Sequence, residues 1–410
     1  MTLPETDHAP AKDAALALPS GLGLSRWFLR QLLARIAIGR LHVVTPEGER
    51  LSSGGSLPGP QAMMVLRRWR AMRRLLLDGD VGLAHAYRDG DFTTPDLTAL
   101  IELGARNDAT LRALVSGTWP ARLLNRLRHW RNANSRAGSR RNIPAHYDLG
   151  NAFYGHWLDA SMTYSSALYT APTQSLEAAQ QDKLDRIIEM LALKGGEHVL
   201  EIGCGWGALA ERLAQRGCRV TAVTLSPAQL AFAQRRIAEA GLAERVELRL
   251  QDYRDITGQF DRIVSIEMIE AVGRAYWPGY FARLNSTLRP GGRIVLQAIT
   301  IDEALFESYQ SGTDFIQRYI FPGGCLPSVA ALDAQAQAAG LRMDAPFRFG
   351  DSYALTLREW RRRFLERWNE IAPLGFDDGF RRLWEFYLCY CEAGFRARSI
   401  DVGLFLLRAG

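Results

Sequence analysis

The 410-residue chain predicts an α/β protein with a parallel sheet covered by helices on both faces, preceded by a smaller α+β domain. Two observations carry this prediction. From about residue 142 onward the β-rich runs HVLEIG, RVTAVTL, RVELRLQDY, FDRIVSI and GRIVLQAITI alternate, for the most part, with helical segments. Such alternation is the signature of strands joined by crossover helices. The second observation is a charge split. Residues 1–141 hold 21 Lys+Arg against 12 Asp+Glu, whereas the remainder holds 29 against 32. The basic excess therefore belongs to the first third, which reads as a domain of its own. An apolar share of 47% excludes a largely disordered chain.

Residues 1–22 read as a flexible tail, acidic and broken by prolines. This tail lacks the basic start and continuous apolar stretch of a secretory signal. No apolar run approaches the ~18 residues needed to span a bilayer, so a soluble, cytoplasmic protein is expected. Residues 23–131 form the small basic α+β domain. Within it, 24–40 predicts an amphipathic helix with Trp27, Phe28, Leu32 and Ile36 near one face. LHVVTPEGER predicts a strand and turn. Residues 61–77 mix Met63, Met64, Val65, Leu66 and Leu75–Leu77 with five arginines. Short helices follow, with a turn at Asp89-Gly90 and a helix start near Thr94-Pro95. The stretch 119–131 is basic and amphipathic, suited to a membrane surface or to packing between domains. Residues 132–141 (NANSRAGSRR) read as a linker, and 142–410 as the larger domain.

The central motif is His198-Val-Leu-Glu-Ile-Gly-Cys-Gly-Trp-Gly207, a strand entering a glycine turn, with ALAERLAQRG as the helix behind it. Gly203, Gly205 and Gly207 let the backbone turn sharply and approach a ligand closely. A glycine turn alone is weak evidence, since nucleotide-binding enzymes share it. Three details point to S-adenosylmethionine instead. Glu201 stands two residues before the first glycine. The spacing G-x-G-x-G suits a ligand without pyrophosphate. The next strand ends in Thr224-Leu225-Ser226-Pro227-Ala228-Gln229, with no acid for a dinucleotide ribose. Asp252 and Tyr253 follow the third strand and could hold the adenine, and Leu288-Arg289-Pro290-Gly291-Gly292 precedes the fifth.

Beyond that motif the chain resembles the cyclopropane-fatty-acid synthases and their mycolic-acid relatives. The resemblance rests on HYDLGNAFYGHWLDASMTYSSALY (146–169), VLEIGCGWG (199–207), VTLSPAQ (223–229), DRIVSIEMIEAVG (261–273), DFIQRYIFPGGCLPS (314–328) and GFRARSIDVGLF (394–405). It covers most of 142–410, and the segment around DGDVGLAHAYRDGDF looks like the smaller domain of full-length bacterial members. The resemblance implies a class I methyltransferase-like Rossmann sheet and transfer of a one-carbon unit to the cis double bond of phospholipid acyl chains. It implies a carbocation that closes to cyclopropane when a bound bicarbonate removes a proton. Tyr164, Ser165, Glu201, Gly203, Gly205, Gly207, Thr224, Leu225, Gln229, Asp252 and Tyr253 would then hold the cofactor. Glu270, Tyr353 and the backbone of Ile299 match the residues that hold bicarbonate. Two positions depart from the family: Ser166 stands where cysteine is common and Gln297 where histidine is common. Ala271 also breaks the usual Glu-His pair. Neutral donors can still hold an anion, so a retained but retuned bicarbonate site is expected. Tyr309, Phe315, Tyr319, Phe321, Phe386 and Tyr390 are candidates to stabilise a cation through their faces.

The altered positions leave a second outcome open, methylation without ring closure to give a methylene- or methyl-branched chain. A small-molecule N- or O-methyltransferase would share the 195–300 region but has no use for FPGGCLPS or the basic front domain. A non-catalytic binding protein would have no need of Glu201, Glu270 and Tyr353. The expected partners are unsaturated phospholipid acyl chains and an anionic membrane surface, with peripheral attachment to the inner face of the membrane and a possible homodimer by resemblance. No element for reading nucleic acid is found. Five cysteines without zinc spacing suggest neither a metal site nor a disulfide framework.

Overall fold

The computed structural model describes residues 21–115, 149–310, 312 and 314–410. Most of the expected tail, the amphipathic stretch 119–131 and the expected linker 132–141 lie outside the described residues. Among those described, no helix is long and apolar enough to cross a membrane.

The front module opens with a helix, Gly21–Ala34, that is shorter than the 24–40 predicted. Ile38–Arg40 belongs instead to strand β1, Ile38–Val44. Asn107 shows why the helix stops. Its side-chain oxygen accepts from the N–H groups of Ala37 and Ile38 at 2.8 and 2.9 Å, and its amide donates to the Ile38 carbonyl at 2.8 Å. Gly39 then takes φ +77°, and a Cβ there would lie 2.2 Å from the Pro60 carbonyl oxygen. Strands β2 (Arg50–Gly54), β3 (Leu57–Leu66) and β4 (Phe92–Thr93) complete a sheet of order β2-β1-β3-β4. The arginine-rich segment divides between the end of β3 and the helix Arg70–Arg88. Arg68, Arg70 and Arg74 converge on the buried carboxylate of Asp91, at 3.4, 2.8 and 3.1 Å. Part of the basic excess is therefore anchored on a buried acid, while Arg68 and Arg70 remain exposed. The helix Leu97–Arg106 starts at Asp96, whose side chain accepts from the Ala99 N–H.

The larger sheet contains β5 (His198–Ile202), β6 (Arg219–Thr224), β7 (Val246–Leu250), β8 (Phe260–Ile266) and β9 (Leu288–Ile301), all parallel. Its order is β10-β12-β9-β8-β5-β6-β7. The last strand, β12 (Ile400–Ala409), is antiparallel to β9, and it carries β10 (Leu341–Met343) and β11 (Phe347–Arg348) antiparallel on its other side. The sheet is thus mixed rather than wholly parallel, an arrangement common in large α/β folds.

Alternate residues of these strands enter two separate cores, as the two-residue period of a strand demands. Val199, Val264 and Val295 face one, with the helices Leu176–Leu191, Gly350–Glu366 and Asp378–Arg396. Leu200, Ile263 and Ile294 face the other, with Trp277–Thr287 and Val329–Ala338. Helices therefore cover both faces. The first core continues into the front module through Phe28, Leu100 and Leu103. A buried ion network reinforces the junction. Glu392 accepts from Thr98 at 3.1 Å and from Arg361 at 2.9 Å, and Arg396 pairs with Glu102 at 2.8 Å. Strand order reverses between β5 and β8, which opens a crevice at the carboxyl ends of the strands, where α/β sheets bind ligands.

Candidate active site

At that crevice β5 delivers Glu201 and then the glycine turn. Gly203, Gly205 and Gly207 take φ of +84°, +52° and +87°. The N–H groups of Gly203 and Cys204 both donate to the Val223 carbonyl, at 2.9 and 3.0 Å, which ties the turn to the end of β6. Side chains would be strained at these positive φ angles and crowded: a Cβ on Gly203 would lie 3.1 Å from Met268, and one on Gly207 3.0 Å from Ala233. The helix Ala208–Gln215 follows directly.

Glu201 is 3% exposed, and its Oε2 has no hydrogen-bond partner. Burial pushes this carboxyl up, opposed by the ammonium of Lys183. An unpartnered, enclosed carboxylate beside a glycine turn fits the cationic amino-acid end of S-adenosylmethionine, because a buried charge needs a counter-charge. On β6, the Thr224 hydroxyl donates to Gln229 Oε1 at 2.9 Å, and Ser226 caps the helix Pro227–Glu239. Leu225 lies between them in the turn. After β7, both Asp252 oxygens accept from Arg254, at 2.8 and 2.7 Å, and the Tyr253 ring packs 5.3 Å from that of Tyr280. Asp252 is thus paired with its near neighbour Arg254.

The group that organises the neighbouring part of the crevice is one the sequence motifs did not single out, Glu267, just past the end of β8. One carboxylate oxygen accepts from the Ser166 N–H at 2.9 Å and the Gln297 amide at 2.7 Å. The other accepts from the Tyr353 hydroxyl at 2.7 Å. Its backbone takes φ +48°, and its N–H donates to the Gln297 carbonyl at 2.8 Å. Burial raises its pKa, and those three donors together with Lys183 oppose the rise. Tyr353 is pushed well above the usual phenol value by burial and by the adjacent Glu267 carboxylate.

This arrangement bears directly on the expected bicarbonate. Ser166, Gln297 and Tyr353 were assigned to a bound anion, and all three donate to Glu267 instead. Ser166 takes part through its backbone N–H, since its hydroxyl donates to the Ala167 carbonyl at 2.9 Å. The fourth expected group, the Ile299 N–H, donates to Glu270 Oε1 at 2.5 Å. Glu270 Oε2 is enclosed and unpartnered. Burial, and then the neighbouring Glu267 carboxylate, raises the Glu270 pKa to about 8. The expected anion donors are therefore engaged by the chain's own acids.

Tyr164 and Ser165 lie alongside. The Tyr164 hydroxyl is 2.8 Å from that of Tyr387, and the Ser165 hydroxyl accepts from Lys183 at 2.8 Å. Of the candidate aromatics, Phe315 packs on Tyr319, Phe386 and Tyr390 with ring centroids 5.0 to 5.9 Å apart. Tyr390 also donates to Asp80 of the front module at 3.0 Å. These rings form a cluster between modules. Two signals could have exposed the missed residues. Glu267 is a charge closing the apolar strand FDRIVSI, and Lys183 is one of only three lysines in the chain.

The sheet order, glycine turn and enclosed Glu201 define a class I methyltransferase-like protein that uses S-adenosylmethionine. The family model for mycolic acid cyclopropane synthetase matches residues 134–405, and the chain belongs to that family. It is 41% identical over 361 residues to the tuberculostearic acid methyltransferase UfaA1 of Mycobacterium tuberculosis, covering 86% of this chain and 84% of that one. It is 38% identical to the cyclopropane-fatty-acyl-phospholipid synthase of Escherichia coli K12, covering 80% and 83%. Among solved structures, mycolic acid cyclopropane synthase CmaA1 complexed with SAH and CTAB superposes with a TM-score of 0.62 at 29% identity, over 65% of this chain and 97% of that one.

Proposed function

We propose that this enzyme methylates the double bond of an unsaturated phospholipid acyl chain, with Glu267 as the proton acceptor, and leaves a methylene branch. The observation that supports this reading most directly is the Glu267 carboxylate seated on the donors that the family resemblance would give to bicarbonate. S-adenosylmethionine, when bound at the glycine turn, supplies an electrophilic methyl on a sulfonium. The alkene π pair forms the new bond to that carbon as the carbon–sulfur bond breaks, which leaves a cation on the acyl chain. Glu267 accepts a proton from the added methyl. If the hydride on the methylated carbon has first moved to the cationic carbon, the released electron pair becomes the double bond of a methylene branch. Without that shift it closes a cyclopropane ring.

Proton loss decides the product, and here the group at that position is tethered. The 41% identity to a protein named as a methyltransferase supports the branched outcome. Ring closure is the second reading, favoured by the 38% identity to a cyclopropane-forming relative.

The test uses dioleoyl-phosphatidylglycerol vesicles and S-adenosylmethionine with a trideuterated methyl. A methylene branch keeps two deuteriums on an alkene carbon that catalytic hydrogenation saturates. A ring keeps two and resists mild hydrogenation. Three retained would mean that a neighbouring proton was lost instead. No mass gain on any acyl chain overturns the reading. Glu267→Gln should reduce turnover by ~10²-fold or more, the range of general-base contributions, while S-adenosylhomocysteine still binds.

A further inference from the structure

Lys183 lies on the helix Leu176–Leu191, is 1% exposed, and has no place in the chemistry above. Three of the chain's 50 basic residues are lysine. A compact ammonium at this one enclosed position is therefore notable in a chain that otherwise uses arginine. A guanidinium is planar and larger, whereas an ammonium is a point charge with three donors.

Its surroundings are acids. Nζ donates to Ser165 Oγ at 2.8 Å. One turn earlier on the same helix, Gln180 donates to the Ser165 carbonyl at 2.9 Å. The two side chains grip one residue, and the next N–H along, that of Ser166, donates to Glu267. Three carboxylates favour the charged form of Lys183: Glu267 after β8, Asp159 in the segment before Ser165, and Glu201 on β5. Asp159 is itself held by the N–H groups of Ser161 and Thr163, at 3.0 and 3.1 Å. Glu267 also faces Tyr353 from the helix Gly350–Glu366, Gln297 from β9, Glu270, and Cys391 from the helix Asp378–Arg396.

We propose that Lys183 is a positioning residue for one-carbon transfer: it clamps the Ser165-Ser166 peptide whose N–H holds Glu267, and it supplies the buried positive charge beside that carboxylate. The proposal rests on the reading of Glu267 as proton acceptor. An acceptor must be ionised before the proton arrives, and burial works against ionisation. The ammonium offsets that cost without donating to Glu267 directly, so both oxygens keep the geometry set by Ser166, Gln297 and Tyr353. Burial lowers the Lys183 pKa to about 8, so the charge is present through neutral pH and is lost above that.

The test compares the full-length protein with Lys183→Gln, which keeps a donor for Ser165 but removes the charge, and with Lys183→Met, which removes both. Turnover on dioleoyl-phosphatidylglycerol vesicles is followed from pH 6 to 9.5, and S-adenosylhomocysteine affinity is measured by calorimetry. Activity requires ionised Glu267, so it rises through the Glu267 pKa. Removing a nearby cation raises that pKa. Both variants should show the acid limb moved to higher pH, with turnover on that limb lowered up to ten-fold for each unit of the move, and Lys183→Gln should retain S-adenosylhomocysteine affinity within a few-fold. A Lys183→Gln enzyme with the wild-type acid limb overturns the proposal. Glu267→Gln separates the two ideas. If Glu267→Gln keeps wild-type turnover, the reading of Glu267 fails. If it is inactive while Lys183→Gln has a wild-type pH profile, only the role of Lys183 fails.

Discussion

Glu267 holds a backbone conformation that favours glycine. At φ +48° a residue with a Cβ carries a cost of roughly 1 kcal/mol, and three hydrogen bonds to its carboxylate offset it. Replacing it by glycine relieves the backbone and opens a carboxylate-sized gap lined by the Ser166 N–H, the Gln297 amide and the Tyr353 hydroxyl. Glu267→Gly should lose activity in bicarbonate-free buffer and regain part of it as bicarbonate is added. Its melting temperature should rise with bicarbonate, since a ligand that binds only the folded state stabilises it. Wild type should respond to bicarbonate in neither assay, because its donors are already engaged. Stimulation of wild type by bicarbonate, with no response from Glu267→Gly, would contradict the assignment of Glu267. At this scale the sequence made the glycine turn and the acid before it legible, because glycine spacing has a direct backbone meaning. It left Glu267 and Lys183 unread, because their roles depend on which neighbours the fold brings to them. In the string SIEMIEAVG, Glu270 has a family match, whereas the importance of Glu267 appears only when β9 and the helix Gly350–Glu366 are folded against it.

At the scale of elements, the end of β8 and the short 3-10 turn Ile269–Ala271 bring two carboxyls, Glu267 and Glu270, into one enclosed volume. One can be ionised only if the other keeps its proton, which assigns the neutral state near pH 7 to Glu270. The unfolded chain ionises this group near 4.5, and the fold delays that to about 8. Below pH 4.5 both states are protonated and nothing is lost. As pH rises towards 8 the unfolded state is favoured by ~1.4 kcal/mol per unit, and above 8 the penalty levels off. Glu270→Gln removes this dependence and can still accept from the Ile299 N–H. Urea unfolding should find variant and wild type about equal at pH 4.5. By pH 8.5 the variant should be more stable by on the order of 3 kcal/mol, after discounting for residual exposure. Equal stability at both pH values would remove Glu270 from the role of held acid. The parallel strands β5–β9 were legible as elements because each is an apolar run bounded by turns. The helix Gly21–Ala34 ended earlier than its periodicity suggested, since Asn107, some seventy residues distant, caps the chain there. The antiparallel placement of β12 was also hidden, because an apolar run does not record the direction of its partner.

Across the whole molecule, the front module shares a core with one face of the large sheet, and the ions around Glu392 and Glu102 join them. The charge split that marked the module as separate therefore describes composition, not independence. It also bears on where an anionic lipid surface would act. Arg68, Arg70 and Arg74 share the buried Asp91, and Arg68 and Arg70 keep 62% and 41% of their side chains exposed, so this cluster carries part of the excess at the surface. Arg122, Arg126, Arg128 and Arg131 form a second dense basic run. Each arginine near an acidic surface contributes about 1 kcal/mol at moderate salt. Replacing these four by glutamine should weaken sedimentation with vesicles containing acidic phospholipid by ~10-fold or more, and binding of wild type should fall as salt shortens the Debye length. Turnover on a short-chain, detergent-dispersed lipid should change little, because that substrate presents no charged bilayer for these arginines to meet. Equal sedimentation of wild type with neutral and acidic vesicles, unaffected by salt, would show that apolar contacts rather than charge bring the enzyme to its lipid. The exposed Trp27, Leu57, Met63 and Leu77 of the front module would then be the residues to replace.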